Sequence, residues 1–417
     1  MRVLSSVPFF VWLLAALTFL LCLGIPGGYS YPIALLFLSG VATVFFRHSG
    51  LSRTSHDYRL MLTWGGYTLL MVLFVYLDGW HVRELDRPAR FLLAVPVLLL
   101  LLRQPLPAAP VLFYGVALGA ILSCIVALYD RFSLGLVRAQ GGENAIMFGD
   151  TAMLLGFMSA TGLMLFYSKK QYWSCLLSFI AVLAGIAASF LSGSRGGWVA
   201  APLIVLFLLW QSRELFSKRV LWAGLSVGFV AFIALVAIPQ TGMQQRMHVA
   251  YSDLVQYQQG NSNTSIGLRL DMWKSAFYLA AESPIFGEGQ YGSRAIRESL
   301  AENDLIHPNA TKFDHLHNEY LTSLGFQGLL GLISLLAIYL VPLKLFISRA
   351  NKYSDNWDVK PYALAGALIP MCYMDFALTQ AMFSHNIGVM MYAFPIVIFW
   401  AALRWQEQYC LSAEMPK

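Results

Sequence analysis

Charge is what this sequence has least of. Only 12% of its 417 residues are Asp, Glu, Lys or Arg, against roughly 25% in soluble globular chains. A chain so poor in charge has too little polar surface to cover a water-soluble body, which excludes an ordinary soluble enzyme. Cysteine is scarce too. Cys22, Cys124, Cys175 and Cys372 fall inside apolar runs and Cys410 lies in the C-terminal tail. That placement argues against a disulfide framework and a thiolate metal site and reads as small buried hydrophobes. No basic stripe lies on a polar domain, so nucleic acid is not an expected partner. No Asp-x-Asp pair lies in a loop where it would hold a metal, and neither a metal nor a cofactor is expected.

What the chain has instead is apolar length: 58% of its residues are hydrophobic. The runs approach the about 20 residues needed to cross a hydrocarbon core. Twelve segments read as spans: Val7–Leu23, Tyr31–Phe46, Leu60–Leu77, Phe91–Leu102, Ala109–Tyr129, Met147–Tyr167, Ser174–Leu191, Trp198–Trp210, Val220–Ile238, Tyr320–Leu343, Pro361–Gln380 and Ile387–Leu403. No cleavage site for a signal peptide follows the first, which reads as a retained helix. An even count puts both termini on one side. The loops on that side carry more than half of the 28 Lys and Arg in the shorter total length, which makes it cytoplasmic. The expected fold is an all-α integral membrane protein of about twelve transmembrane helices. The expected division is 1–238 for spans one to nine, 239–319 for a large periplasmic loop, and 320–417 for the last three spans and a cytoplasmic tail.

The large loop carries an amphipathic pattern from Gly267 to Ala281, with Leu268, Met272, Trp273, Ala276 and Phe277 at helical spacing. Thr264 or Ser265 is placed to cap it and Ser283-Pro284 to end it. A turn-rich stretch follows, from Phe286 to Gly292 with Gly287 and Gly289 in it.

Several residues are candidates for chemistry. His317, in Asp314-His315-Leu316-His317-Asn318-Glu319, stands where the polar loop runs into an apolar span. Read as part of the first helical turn, it would feel the positive helix end, which disfavours imidazolium and leaves a neutral base. Asp314 or Glu319 is placed to orient it, and His315 would point to the other side of the helix. Ser192-Gly193-Ser194-Arg195-Gly196-Gly197 sets a cation among small residues where span eight begins, the makings of an anion site. Arg269 lies early in the loop helix. Arg83 and Arg87 share a short outer loop, Arg138 is a weaker candidate of the same kind, and all three are placed to meet lipid phosphates. Asp375 reads as an acid inside span eleven, a costly position with Arg195 as a plausible partner. A zinc site from His307, His315 and His317 lacks a ligand spacing that supports it.

Three segments together resemble the O-antigen ligase and polymerase superfamily. His317-Asn318, nine residues, Gly328, two residues and Gly331 match the ligase signature, in which Asn, Ser or Gln follows the histidine. The Arg195 turn and Arg269 with Trp273, followed by Gly287 and Gly289, come before it in the same order as in that superfamily. The resemblance covers nearly the whole chain. It implies a glycosyltransferase of the bacterial inner membrane that moves O-antigen from undecaprenyl diphosphate to a sugar hydroxyl of lipid A core. It further implies His317 as base and Arg195 and Arg269 as diphosphate ligands, with Asn318 and the two glycines as secondary candidates. A polymerase or a protein O-oligosaccharyltransferase of the same superfamily would share donor and base. A multi-helix transporter would instead require midplane ionisable residues and repeated halves, and the sequence has no second half that repeats the first.

Overall fold

A computed structural model describes residues 6–44, 50–194, 196–237 and 243–414. Among these residues there are fifteen α-helices, a few 3-10 turns and one π turn, and no strand. The helices are α1 (Ser6–Leu21), α2 (Ser30–Val44), α3 (Ser55–Leu77), α4 (Asp86–Arg103), α5 (Val111–Leu128), α6 (Ala145–Ser168), α7 (Tyr172–Ser192), α8 (Ala201–Ser212), α9 (Lys218–Ala237), α10 (Met243–Gln258), α11 (Ser265–Glu282), α12 (Gly289–Glu302), α13 (Glu319–Lys352), α14 (Lys360–Phe376) and α15 (Asn386–Glu414). Among the described residues, six helical stretches are long and apolar enough to cross a bilayer: Ser55–Leu77, Val111–Ser133, Ala145–Ser168, Tyr172–Ser192, Glu319–Lys352 and Asn386–Ala413. They mark a multi-pass membrane protein. The twelve expected segments fall on α1–α9 and α13–α15. Phe46, Ile238 and Pro239, at expected boundaries, lie outside the described residues.

α15 is the axis of the bundle. Its apolar window is 94% buried, against 33% for α7, so α15 is enclosed by other helices where α7 presents most of its surface outward. Trp400, Phe399 and Tyr392 are fully buried along it. Consecutive helices run between two ends. At one end Asp57 accepts from the Trp400 indole at 2.7 Å, Arg349 meets Glu407, and Lys360 donates to the Gln211 carbonyl. The loops after α3, α7 and α14, together with the α10–α12 region, gather at the opposite end.

The loop helices correct the sequence reading in one place. α11 contains the expected stretch, beginning two residues earlier and ending one later, and has its cap, with Thr264 Oγ1 accepting from Gly267 N at 3.1 Å. The turn-rich stretch after it, however, opens α12. Gly289 leads this helix because a Cβ there would stand 2.2 Å from the Asp78 carboxylate. Asp78 comes from the end of α3 and accepts from Gln290 N at 2.7 Å and Tyr291 N at 3.1 Å. A carboxylate at these free N–H groups is what a helix start favours. The glycines hid a helix whose cap is supplied from more than 200 residues away.

α13 is two helices joined through Gly328, whose backbone (φ 62°, ψ −162°) lies where only glycine sits without strain. The break deprives the next N–H groups of their helical acceptors. The α11–α12 connection supplies them: Leu329 N donates to Pro284 O at 2.8 Å and Leu330 N to Ile285 O at 3.2 Å. Gly287, at φ 70°, lies against the Phe326–Gly328 backbone with no room for a side chain.

Gly328→Ala is expected to destabilise the protein by about 1–3 kcal/mol from backbone conformation alone. The clash with the Ile285 carbonyl adds to that loss. Gly65→Ala, in α3 with nothing within 4 Å of the new methyl, is expected to stabilise it by up to about 1 kcal/mol. Thermal unfolding of both variants in detergent decides, and equal midpoints would refute the account of the break.

Candidate active site

His317 does not lie in α13. Asn318 is the N-cap and the helix starts at Glu319, so His317 is the last residue of the loop. Its φ of 47° puts it in the left-handed region, a conformation that costs a non-glycine residue of order 1–3 kcal/mol and must be held by its surroundings. The holding is visible on both sides. Before it, the loop is gripped by its carbonyls. Arg297, buried in α12, donates to Ala310 O and to Phe313 O, Gln290 Nε2 donates to Asp314 O at 2.8 Å, and Trp273 Nε1 donates to Leu316 O at 3.1 Å. Leu316 itself is buried in a small core with Met272, Ala276, Leu279, Ala310 and Phe326.

After it, the start of α13 is stitched to the segment that ends α14. Asn318 Oδ1 caps Leu321 N at 2.9 Å while its Nδ2 donates to Leu378 O at 3.0 Å. Glu319 N donates to Ala377 O at 2.8 Å, and the Glu319 carboxylate accepts from Phe383 N at 2.8 Å. Tyr320 Oη donates to Met374 O at 2.9 Å. Asn318 thus caps the helix, and Glu319 anchors the neighbouring turn. Neither Asp314 nor Glu319 has a described hydrogen bond to the His317 ring. Its Nδ1 lies 2.8 Å from Gln380 Oε1.

Gln380 also reaches His385, at 3.1 Å between Nε2 atoms. His315, expected on the far side of a helix, stands with its ring 4.4 Å from that of His317 and edge-on to it. His385 lies 5.5 Å from His315, so three imidazoles share one half-buried cluster. Burial, then the positive charge of Arg269, lowers His317 to about 4, partly offset by the Gln380 hydrogen bond. The low value was expected from the helix end, but burial and Arg269 are its causes. Burial and the neighbouring imidazoles lower His315 to about 3, with Arg87 and Arg297 adding to it. Burial and Arg87 lower His385 to about 4. All three rings are therefore neutral at pH 7. His307 is engaged elsewhere, accepting from Asn309 N through Nδ1.

Arg269 sits one turn before Trp273 on α11, so the helix that holds the Leu316 carbonyl also brings a guanidinium towards His317. Arg87 is exposed at the start of α4, its charge reaching His315 and His385. Arg83 is exposed on the turn before it. Gly287 and Gly289 shape the backbone junctions described above.

The turn around Arg195 is built differently from expectation. Arg195 lies outside the described residues. α8 starts not there but at Ala201, after a short turn at Gly196–Trp198. The N–H of its cap residue Ala200 is taken by Asp375 Oδ1 at 2.8 Å. Asp375 is buried in the last turn of α14, which ends at Phe376. Asp150, which the sequence reading missed, faces the same turn from α6 and accepts from Ser194 Oγ at 2.7 Å. Each carboxylate keeps one buried oxygen without a hydrogen bond among the described residues. Arg138 donates through Nε to Ser192 O at 2.7 Å, closing the end of α7 beside that turn.

Three comparisons bear on this geometry. The sequence profile of a family described as O-antigen ligase matches residues 180–336, a stretch that contains Arg195, Arg269, His317 and Gly328. An uncharacterized protein of Haemophilus influenzae is 32% identical over 394 residues, 94% of this chain and 98% of that protein. An O-antigen ligase of Escherichia coli is 29% identical over 215 residues, which are 50% of this chain and 48% of that protein.

Asn318→Ala removes a helix cap and the bond to Leu378, for an expected loss of about 2 kcal/mol. Asn318→Asp keeps the cap but sets a carboxylate against the Leu378 carbonyl, so it should recover only part of that stability. Thermal unfolding with Asn318→Asp fully as stable as wild type would show that the Leu378 contact contributes nothing.

Proposed function

The chain belongs to the O-antigen ligase family, and on that premise we propose that it transfers O-antigen from undecaprenyl diphosphate to a sugar hydroxyl of lipid A core. In this reading all twelve apolar segments span the inner membrane, both termini are cytoplasmic, and residues 239–319 form a periplasmic subdomain carrying part of the site. The observation that carries the reading is a half-buried imidazole at His317, fixed by its left-handed backbone and by Gln380 and kept neutral by burial and the charge of Arg269, at the end of the bundle where the loops gather.

The chemistry asks for little more. His317 takes the proton from the acceptor hydroxyl. The resulting oxygen attacks the anomeric carbon opposite the phosphate, the carbon–oxygen bond to the diphosphate breaks, and its electron pair leaves on the phosphate. The new glycosidic bond has inverted configuration. Arg269, with Arg195, binds the diphosphate through forked contacts and offsets the negative charge that grows on it. No step calls for a metal. Both lipid tails remain in hydrocarbon while the head groups meet.

Reconstitution with lipid-linked glycan and lipid A core in liposomes tests this. Covalent transfer to the core is expected. Joining of glycan to glycan would mark a polymerase, and movement across the bilayer without transfer a transporter. His317→Ala is expected to lower kcat by about 10²–10⁴; an unchanged rate removes it as base. Arg269→Lys keeps the charge and loses the fork, and wild-type transfer by it would count against bidentate binding. The base must be neutral, so activity holds above its pKa and falls as protons are added. For kcat/KM, which reports the free enzyme, the acid limb is expected near pH 4, where burial and Arg269 set the imidazole. For kcat the limb should lie higher, because the bound diphosphate offsets the guanidinium charge. A kcat/KM limb at the ordinary histidine value near 6.5 would contradict the buried setting.

A further inference from the structure

Gln380 is fully buried at the foot of the α14–α15 connection, between two of the three imidazoles. The orientation of its amide is decided by a third contact. The N–H of Ala381 lies 3.2 Å from the atom that faces His317. A backbone N–H only donates, so that atom is the carbonyl oxygen and the amide nitrogen turns to His385. The consequences then follow in order. An oxygen that faces His317 Nδ1 at 2.8 Å requires Nδ1 to carry the proton. A neutral ring with its proton on Nδ1 has its lone pair on Nε2, which is also the ring nitrogen that Gln380 leaves accessible. On the far side, the Gln380 N–H donates to His385 Nε2 at 3.1 Å, so His385 also carries its proton on Nδ1. His315 is set the opposite way, because its Nδ1 accepts from His317 N at 3.2 Å.

We propose that Gln380 is the positioning residue that fixes His317 in the tautomer with a free Nε2, and that His385 holds the Gln380 amide in register. The assignment rests on the reading of His317 as base and says which nitrogen takes the proton. It matters because an unconstrained histidine side chain prefers the opposite tautomer, with the proton on Nε2. Without Gln380 the ring would spend most of its time unable to accept a proton there. The same bond stops rotation of the ring, which the left-handed backbone at His317 already aims. Glutamine serves better than a carboxylate because it orients the ring without adding a negative charge. Around the ring stand Arg269 from α11, His315 from its own loop and His385 from the α14–α15 connection, with Arg87 of α4 acting on both other histidines and Arg297 of α12 on His315. A glutamate at 380 would set a carboxylate against that mostly positive surround.

The test has a spectroscopic and a kinetic arm. Nitrogen NMR of protein labelled at histidine, with His317→Ala to assign the signal, reads the tautomer without substrate. In the wild type the His317 proton is expected on Nδ1. In Gln380→Leu the Nε2–H form should appear, and kcat should fall by about 10²-fold, the lower end of what a general base contributes, with KM for the lipid-linked donor unchanged. Gln380→Glu, of the same shape, should move the acid limb of kcat/KM upward, because the carboxylate favours imidazolium. His385→Leu combined with Gln380→Leu should be no slower than Gln380→Leu alone. A wild-type proton on Nε2, or a Gln380→Glu acid limb that stays in place, overturns the assignment. A proton found on Nδ1 in a protein that transfers no glycan upholds the tautomer and overturns the transferase reading instead.

Discussion

The site depends on two buried backbone segments that need each other. Where α13 begins and where α14 ends, polar main-chain groups lie in an apolar bundle with little water to satisfy them. Met374, Ala377 and Leu378 each offer a carbonyl, and Phe383 an N–H. Asn318, Glu319 and Tyr320 answer all four. Separating the segments would orphan these groups together, at roughly 1–3 kcal/mol each. His317 is thus positioned not only by the loop it belongs to. It is the next residue along a seam that closes for other reasons, and Gln380 comes from the opposite lip of that seam.

A second constraint explains the signature spacing. Nine residues separate Asn318 from Gly328, about two and a half helical turns. At one end of that short helix the cap sets His317, and at the other the glycine break admits the Pro284–Ile285 carbonyls. The half-helix is therefore pinned at both ends to different parts of the chain. α11 packs along it through Ala276 and Leu279 against Gly325, and α11 carries Arg269. This small clamp thus joins the helix that carries Arg269 to the half-helix that follows His317.

The apolar segments were readable from length alone, because hydrocarbon demands long runs and little else in the chain competes with that signal. The loop helix α11 was readable from its period and its threonine cap. α12 was not, because its cap is Asp78, remote in sequence, and glycines at its start look like a turn. His317, Arg269 and Gly328 stood out through their pattern, but the cause assigned to the low pKa of His317 did not hold. The sequence suggested a helix terminus, whereas burial and a guanidinium are responsible. Gln380 and Asp150 escaped for a common reason. A single polar residue in an apolar run gives no period and no motif, and its meaning lies wholly in what the fold brings to face it. The series Asp375, Gln380, His385, polar at every fifth position, was the one local hint.

A buried imidazole near a guanidinium looks poorly chosen as a base, because one that titrates at about 4 holds a proton weakly at neutral pH. The difficulty eases once the proposed substrate is considered. Burial weighs most against imidazolium, and the charge on Arg269 adds to it. A bound diphosphate offsets that charge and adds its own, and the same ring becomes willing to accept a proton. In the proposed reaction His317 would then gain basicity only when the donor is in place, which couples proton transfer to donor binding. Gln380 suits this arrangement because it is neutral. A carboxylate in its position would keep the imidazole basic whether or not the donor had arrived, and the coupling between binding and basicity would be lost.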